Sequence, residues 1–308
     1  MNRLQTIIAH RFYRRSGLIP FLLVAVLSAK VCLAQPQDDH APADAMLRVE
    51  GVKIKVPDLS EALAFYRDLL GFGLLSDEHA PATVTLDGGA LPVILEHADH
   101  PAQAGYPHAS QTSLSLQSYD LAATMAHLKT QGVVFLQDPP TPYGLNDEGV
   151  PLGLATKLED PFGNVLSMVE QQVRRGEAFS GVRVYNAGFY LPDTEKARVF
   201  YCDQLGFIAL TERYYPNIPL GHADRSFAFM LHEVAQIQPA AAMYPETTQL
   251  LLVFSTPDLS ATLKQLKKRG IILLHEMPQR NAAGRYIALQ DPFGNVSEVY
   301  EQRKETDL

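Results

Sequence analysis

Two histidine and glutamate pairs and one further glutamate occupy strand positions where they could bind a metal ion or act on a small molecule. Glu96-His97 and His232-Glu233 each end an apolar segment, and Glu298 lies inside another. Imidazole nitrogens and carboxylate oxygens are donors that divalent ions bind at about 2.0–2.2 Å. Adjacent residues of a strand point to opposite faces, so only one member of each pair can enter a given face of a sheet.

The elements that must position these side chains occur twice along the chain. Leu158–Val165 and Leu289–Val296 lie 131 residues apart and share seven of eight letters, including Asp-Pro-Phe-Gly-Asn. Those five residues are typical of a turn, and the flanking apolar runs predict a β-hairpin. A second pair, Phe65–Phe72 and Phe200–Phe207, lies 135 residues apart. The chain is therefore an internal duplication.

Each half contains two modules with the order βαβββ. In the first, alternating apolar residues predict a strand at Val49–Val56, and Asp58 with Glu61 predicts the start of a helix that stops at Gly71. Three apolar segments follow at Gly73–Ser76, Ala82–Leu86 and Leu91–Glu96. The other predicted helices are Asp120–Gln131, Asp193–Leu205 and Asp258–Arg269. The other predicted strands are Ser113–Gln117, Val133–Gln137, Leu154–Leu158, Val165–Val169, Asn186–Leu191, Phe207–Thr211, Ser226–His232, Leu250–Thr256, Ile271–His275, Tyr286–Leu289 and Val296–Tyr300.

Residues 1–34 have the layout of a secretory signal peptide. Four arginines precede an apolar run at Gly17–Ala29, and small residues precede Gln35. A run of about 13 residues is shorter than the roughly 20 that span a bilayer, so cleavage is favoured over an uncleaved anchor. We expect a periplasmic or secreted protein. The Arg14-Arg15 pair leaves the twin-arginine route open beside the general one.

The predicted division of the chain is a leader at 35–45, a first domain at 46–172, a linker at 173–182, a second domain at 183–303 and a tail at 304–308. Cleavage would remove five basic residues and leave a net charge of −13. Such a surface disfavours nucleic acids and anionic membranes. The remaining cysteine, Cys202, excludes an internal disulfide and is expected to be a packed thiol. A monomer and a homodimer both remain open.

Tandem βαβββ modules with Phe-Tyr-x-Asp-x-Leu-Gly-Phe and Asp-Pro-Phe-Gly-Asn resemble the vicinal oxygen chelate superfamily, which includes glyoxalase I, extradiol dioxygenases and bleomycin-resistance proteins. The resemblance covers residues of about 47–303. It implies an α+β fold in which modules pair into two cup-shaped, eight-stranded mixed sheets with helices outside. We expect the two modules of each half to pair. The superfamily includes enzymes and non-catalytic binders, so the fold alone does not give the function.

The resemblance also implies where a divalent metal would bind, namely first-strand residues, usually His, and a Glu after the Asp-Pro-Phe-Gly-Asn turn. The first-strand positions hold Gly51, Ser113, Asn186 and Leu251, and the positions after the turn hold Ser167 and Glu298. The first domain then lacks a metal site. The second retains a weak alternative, one divalent ion on Asn186, His232 and Glu298, with Glu233 in place of His232 as a variant. His100 and His108 are expected at the surface.

Strand alternation predicts which side chains line each cup. The first is expected to have a polar wall with two cations that suits an anionic or carbonyl-bearing ligand. The second is expected to be more aromatic, with Tyr214 and Tyr215 as candidates for its rim. The predicted ligand-binding residues are Lys53, Lys55, Glu96, Ser113, Ser115, Gln117 and Ser167 in the first cup, and Asn186, Tyr190, Ser255, Arg285, Glu298 and Tyr300 in the second.

The sequence favours an exported protein that binds a small organic molecule, without a cofactor. The first alternative is a metal-dependent lyase of the glyoxalase type or a ring-cleaving dioxygenase of the extradiol type, acting in the second domain. A second alternative is a non-catalytic module that binds a partner protein. No catalytic residue is assigned. If no metal binds, Glu298→Gln is expected to leave thermal stability and ligand affinity nearly unchanged.

Overall fold

A computed structural model of the chain describes residues 47–80, 82–99, 112–145, 150–171, 181–234 and 250–302. The predicted signal peptide, leader and tail lie outside these ranges. So do His100, His108 and most of the predicted linker. Within the described residues, no helix is long and apolar enough to cross a membrane.

Four modules follow one another along the chain, and a π-helical segment continues the helix of the first and third. The first has β1 (Arg48–Val56), α1 (Leu59–Leu63) with its continuation Ala64–Leu69, β2 (Gly73–His79), β3 (Thr83–Asp87) and β4 (Val93–His97). The second has β5 (Thr112–Ser118), α2 (Leu121–Thr130), β6 (Thr141–Leu145), β7 (Pro151–Glu159) and β8 (Val165–Gln171). The third has β9 (Val182–Leu191), α3 (Thr194–Arg198) with its continuation Val199–Gln204, β10 (Ile208–Ala209), β11 (Ile218–Gly221) and β12 (Phe227–Glu233). The fourth has β13 (Leu250–Thr256), α4 (Leu259–Lys268), β14 (Ile272–Leu273), β15 (Gln279–Asn281), β16 (Gly284–Gln290) and β17 (Val296–Glu301).

All four predicted helix starts are confirmed. Asp58, Asp120, Asp193 and Asp258 have extended backbones, and each side chain accepts a hydrogen bond from a backbone N–H in the first helical turn. These bonds satisfy donors that have no partner inside a helix. The aspartates therefore fix where each helix leaves its first strand.

One predicted strand is wrong. Val133–Gln137 forms only a single bridge, between Phe135 and Leu158, and the strand at this edge of the sheet is β6, further along the chain. Val133 and Phe135 pack against the hydrophobic core. The apolar pattern of this segment therefore reflects packing against the core, and its backbone makes only two hydrogen bonds to β7, around that bridge.

The modules pair across the two halves of the chain, so the expected pairing of sequence neighbours is wrong. One sheet has the order β14-β16-β17-β13-β1-β4-β3-β2, with β15 beside β16, and joins the first and fourth modules. The other has the order β10-β11-β12-β9-β5-β8-β7-β6 and joins the second and third. We call them the first and the second sheet. In the middle of each sheet the two modules meet at an antiparallel pair of first strands, β1 with β13 and β5 with β9.

The two repeated sequence motifs contact each other. The Tyr66 hydroxyl donates to Asp160 Oδ2 at 2.7 Å, and the Tyr201 hydroxyl donates to Asp291 Oδ2 at 2.9 Å. Each bond joins the helical region of one module to the turn of the next. Modules therefore share a sheet with the opposite half and a buried hydrogen bond with their own half. The predicted boundary between a first domain that ends at residue 172 and a second that begins at 183 does not separate the two sheets. Each sheet contains one module from each half of the chain.

Each sheet has one face packed against helices and one inner face. On β1, Val52, Ile54 and Val56 belong to the same buried cluster as Ala62 and Phe65 of the helical segment. The alternating residues Lys53 and Lys55 point to the opposite, inner face. The predicted α+β fold of two cup-shaped mixed sheets is confirmed, and its inner faces are where the candidate site residues lie.

Candidate functional site

The cross-half pairing redistributes the predicted site residues between the two inner faces. Of the predicted residues, the first sheet carries Lys53, Lys55, Glu96, Ser255, Arg285, Glu298 and Tyr300, and the second carries Ser113, Ser115, Gln117, Ser167, Asn186 and Tyr190. The residues predicted to line one cup are thus divided between the two sheets.

On the first sheet, the Lys53 ammonium lies among three oxygen atoms. Lys53 Nζ is 2.7 Å from Glu96 Oε2, 2.5 Å from Glu298 Oε2 and 2.8 Å from the Tyr300 hydroxyl. The Lys53 residue is 2% exposed and Glu298 1%. A charge this deeply buried is stable only when it is paired and hydrogen-bonded, and these oxygens satisfy all three ammonium donors.

Lys55 completes the charge balance of this cluster. Its Nζ is 3.8 Å from Glu96 Oε1 and 3.7 Å from Glu298 Oε1, so two cations face two carboxylates. Burial opposes charging of Lys53, but the attraction of Glu298, Tyr300 and Glu96 outweighs it and holds its pKa well above the usual value. Burial likewise opposes charging of Glu298, and Lys53 and Lys55 outweigh it and lower its pKa. For Lys55, burial prevails and lowers the pKa.

The inner face of the first sheet also carries apolar and aromatic side chains. Leu251, Val253 and Tyr300 form a buried cluster, and the Tyr286 ring stacks on Tyr300 at 5.1 Å between centroids. Arg285 does not join them, because it pairs with Glu301 at 2.8 Å while its strand neighbour Tyr286 takes the inner face. The predicted cationic wall is therefore neutralised by the protein's own carboxylates.

The second sheet bounds a cavity of about 730 Å³. Tyr214 and Tyr215 line it and are about half exposed, which places them at its opening as expected. Tyr143 and Tyr185 contribute further rings, and burial followed by the interaction with Tyr185 raises the pKa of Tyr143 to about 12. The lining residues are Tyr143, Gly144, Leu152, Tyr185, Asn186, Arg213, Tyr214, Tyr215, Asn217, Pro219, Phe227, Met230 and His232.

Two buried polar atoms in the wall of this cavity lack a hydrogen-bond partner among the described residues. Asn186 Oδ1 and His232 Nε2 are both buried and unpaired. Burial lowers the pKa of His232 to about 4, so the ring is neutral at pH 7. The imidazole lies 5.4 Å from the Tyr190 ring, centroid to centroid. A neutral imidazole and an amide oxygen can exchange hydrogen bonds with an uncharged polar ligand.

In each histidine and glutamate pair, the residue beside the inward-facing one lies outside the inner face. Glu233 accepts hydrogen bonds from the backbone N–H and hydroxyl of Thr194, at the start of α3. His97 is exposed beside Asp99, while Glu96 points inward to Lys53. Strand alternation correctly predicted that one member of each pair enters the inner face.

Of the predicted ligand-binding residues that lie on the second sheet, only Asn186 lines the cavity. Gln117 accepts a hydrogen bond from Arg183 at 3.0 Å, and Ser115 is buried. Tyr185 also lines the cavity but was not predicted, although it precedes Asn186 in the sequence. The ladder between β5 and β9 shifts register here, where Ser115 faces Asn186 and Leu116 faces Val184. This bulge breaks the alternation, so Tyr185 and Asn186 both line the cavity.

The alternative metal site of Asn186, His232 and Glu298 is wrong. Asn186 and His232 belong to the second sheet, and Glu298 belongs to the first. Across the described ranges, no group of three or more His, Cys, Asp or Glu side chains is arranged to hold a metal ion. The donor set around Glu298 does not fit a divalent ion either, because the Lys53 ammonium already occupies the point where its oxygens converge.

Two solved structures share the fold at low sequence identity. Glyoxalase I from Zea mays aligns with a TM-score of 0.59 and 17% identity, over 83% of this chain and 93% of that one. A dioxygenase-family protein from Bacillus subtilis aligns with a TM-score of 0.56 and 16% identity, over 85% and 87%. No curated protein is significantly similar in sequence.

The family model matches both halves of the chain, at residues 48–168 and 185–299. These ranges take in most of all four modules and contain both copies of each repeated motif. The two copies, the module order and the mixed sheets confirm the resemblance predicted from the sequence. The chain belongs to the Glyoxalase/Bleomycin resistance protein/Dioxygenase superfamily.

Proposed function

We propose that the protein binds a hydroxylated aromatic molecule in the cavity of the second sheet, without using a metal ion. The observation that carries this proposal is the pair of buried, unpartnered polar atoms, Asn186 Oδ1 and His232 Nε2, in the wall of a cavity lined by aromatic rings. Leaving a buried polar atom unpaired costs about 1–3 kcal/mol. A ligand hydroxyl recovers that cost.

The remaining walls favour a flat ring system. Four tyrosines, Phe227 and Met230 offer apolar and aromatic surface, and the volume of about 730 Å³ suits more than one fused ring. It falls within the roughly 300–1,000 Å³ typical of small-molecule sites. No Asp or Glu is among the described lining residues, so a cationic ligand gains little there.

The same lining residues separate this proposal from the metal-dependent alternative. The cavity offers one imidazole, amides and phenols, whereas catalytic metal sites combine several imidazole or carboxylate ligands. The lyase or dioxygenase hypothesis relied on Glu298, which lies on the other sheet. A metal-free binding site is therefore the function that the geometry supports best.

Binding of naphthol tests the proposal, with methoxynaphthalene as the matched probe that lacks the hydroxyl proton. The wild-type protein should bind naphthol, and Met230→Trp, which fills the cavity, should abolish binding. Met277→Trp is the matched control because Met277 is 67% exposed and does not line the cavity. The affinity of each protein for each probe is measured by calorimetric titration and by the rise in melting temperature that the probe causes.

Asn186→Leu then isolates the polar contact. Removing one hydrogen bond should weaken naphthol binding about tenfold, and methoxynaphthalene should bind both proteins within about twofold of one affinity. If naphthol affinity is the same in wild type and Met230→Trp, the ligand does not occupy this cavity. Equal losses for both probes in Asn186→Leu would contradict the proposed role of the hydroxyl.

We also propose that the protein is exported and cleaved near Ala34, on the sequence pattern of residues 1–34 alone. Amino-terminal sequencing of protein recovered from the cell envelope or medium should begin near Gln35. Soluble cytoplasmic protein that starts at Met1 would overturn the proposal.

A further inference from the structure

We infer that the Lys53 ammonium is a built-in cation, which fills a preformed site of three oxygen atoms in the first sheet and keeps divalent metals out of it. This inference concerns the first sheet only. It is independent of ligand binding in the second sheet, so either proposal can fail alone.

The oxygens reach Lys53 from both sides of its strand. In the order β17-β13-β1-β4, Glu298 and Tyr300 belong to β17 and Glu96 to β4, while Lys53 belongs to β1. The Tyr300 hydroxyl also donates to Glu298 Oε2 at 2.9 Å and accepts from the Asn281 amide at 2.8 Å. These bonds orient the Tyr300 and Glu298 oxygens independently of Lys53. The cluster is therefore an oriented donor set rather than a chance ion pair.

Charge explains why a cation must be present. Glu298 and Glu96 bring two negative charges to a face where Lys53 and Glu298 are almost completely buried. Lys53 and Lys55 supply two positive charges and make the cluster neutral. Replacing both lysines removes the two positive charges that balance Glu96 and Glu298, and one divalent ion carries the same charge. Carboxylate and hydroxyl oxygens suit hard ions such as Mn²⁺.

The ammonium excludes a free ion because it is covalently attached. Lys53 loses no translational freedom when it enters the site, and its three donors already match three acceptors. A metal ion would have to shed water and displace the lysine into apolar surroundings. The site is consequently closed to metal in the wild-type chain and latent beneath the lysine.

Replacing both lysines should expose this latent site. Lys53→Ala vacates the position, and Lys55→Met keeps packing while preventing Lys55 from moving in. We expect the double variant to bind one Mn²⁺ on the order of a hundredfold more tightly than wild type. Its melting temperature should fall in EDTA and recover in Mn²⁺, because an ion that binds only the folded state stabilises it. Adding Glu298→Gln should remove that recovery.

Each outcome decides the inference. A folded double variant that binds Mn²⁺ no better than wild type overturns it, and so does a wild-type protein that retains one Mn²⁺ which Glu298→Gln releases. If the double variant folds in neither condition, Lys53→His combined with Lys55→Met replaces it, since the imidazole adds a ligand and fills the position. Mn²⁺ binding by this second variant supports the inference, and a folded second variant that binds none overturns it.

Discussion

Glu298→Gln is expected to lower the free energy of unfolding by about 3 kcal/mol. The substitution removes the negative charge 2.5 Å from the buried Lys53 ammonium, and breaking one partner of a buried pair costs about 3–5 kcal/mol. The loss lies at the lower end because Glu96 and Tyr300 remain bonded to Lys53. Chemical denaturation of both proteins measures it.

Glu301→Gln is the matched control, three residues along the same strand. Glu301 pairs with Arg285 at 2.8 Å, but both side chains are partly exposed, and such pairs contribute less than about 1 kcal/mol. If the two variants lose the same free energy of unfolding, the Lys53 cluster stabilises the fold no more than an exposed ion pair does. The expectation from the sequence, that Glu298→Gln changes little, considered only a metal or a ligand as its partner and did not foresee Lys53.

Stability should fall as the pH is lowered from about 6.5 towards 4, in part because of His232. Burial lowers the pKa of His232 from 6.5 in the unfolded chain to about 4 in the folded one. Between these values the unfolded chain binds a proton that the folded protein does not, so acid favours unfolding. The difference amounts to at most about 3 kcal/mol at the acid end.

Denaturation at several pH values, for wild type and His232→Gln, isolates this contribution. The variant should lose less stability on acidification, because glutamine does not titrate. His97→Gln is the control, since the exposed His97 side chain lies outside the inner face. If wild type and His232→Gln lose the same stability between pH 6.5 and 4, His232 is not held neutral by burial. A ligand that donates to the unprotonated Nε2 should also bind less tightly in acid.

The contents of the candidate site show where prediction from sequence failed. Lys53 and Glu298 were both selected as inward-facing, yet they were assigned to different cups and their contact went unseen. Asn186 and His232 were selected together, and they do share a cavity. Tyr185 was not predicted, because the predicted strand began at Asn186, and a bulge in β9 brings both side chains to the cavity. The face to which a side chain points is set by its own strand and can be predicted from the sequence. Which side chains touch across strands depends on which strands pair.

The sequence alone determined the modules, the helix starts at four aspartates and the superfamily. These features depend on periodicity and turn chemistry within a few residues, which any pairing of modules preserves. Only the tertiary structure decided that the first module pairs with the fourth and the second with the third. The four first strands have similar patterns and could each pair with another, so the choice follows from packing between modules. That packing places Lys53 against Glu298 and separates Glu298 from His232, and so decides which inner face is neutralised by its own side chains.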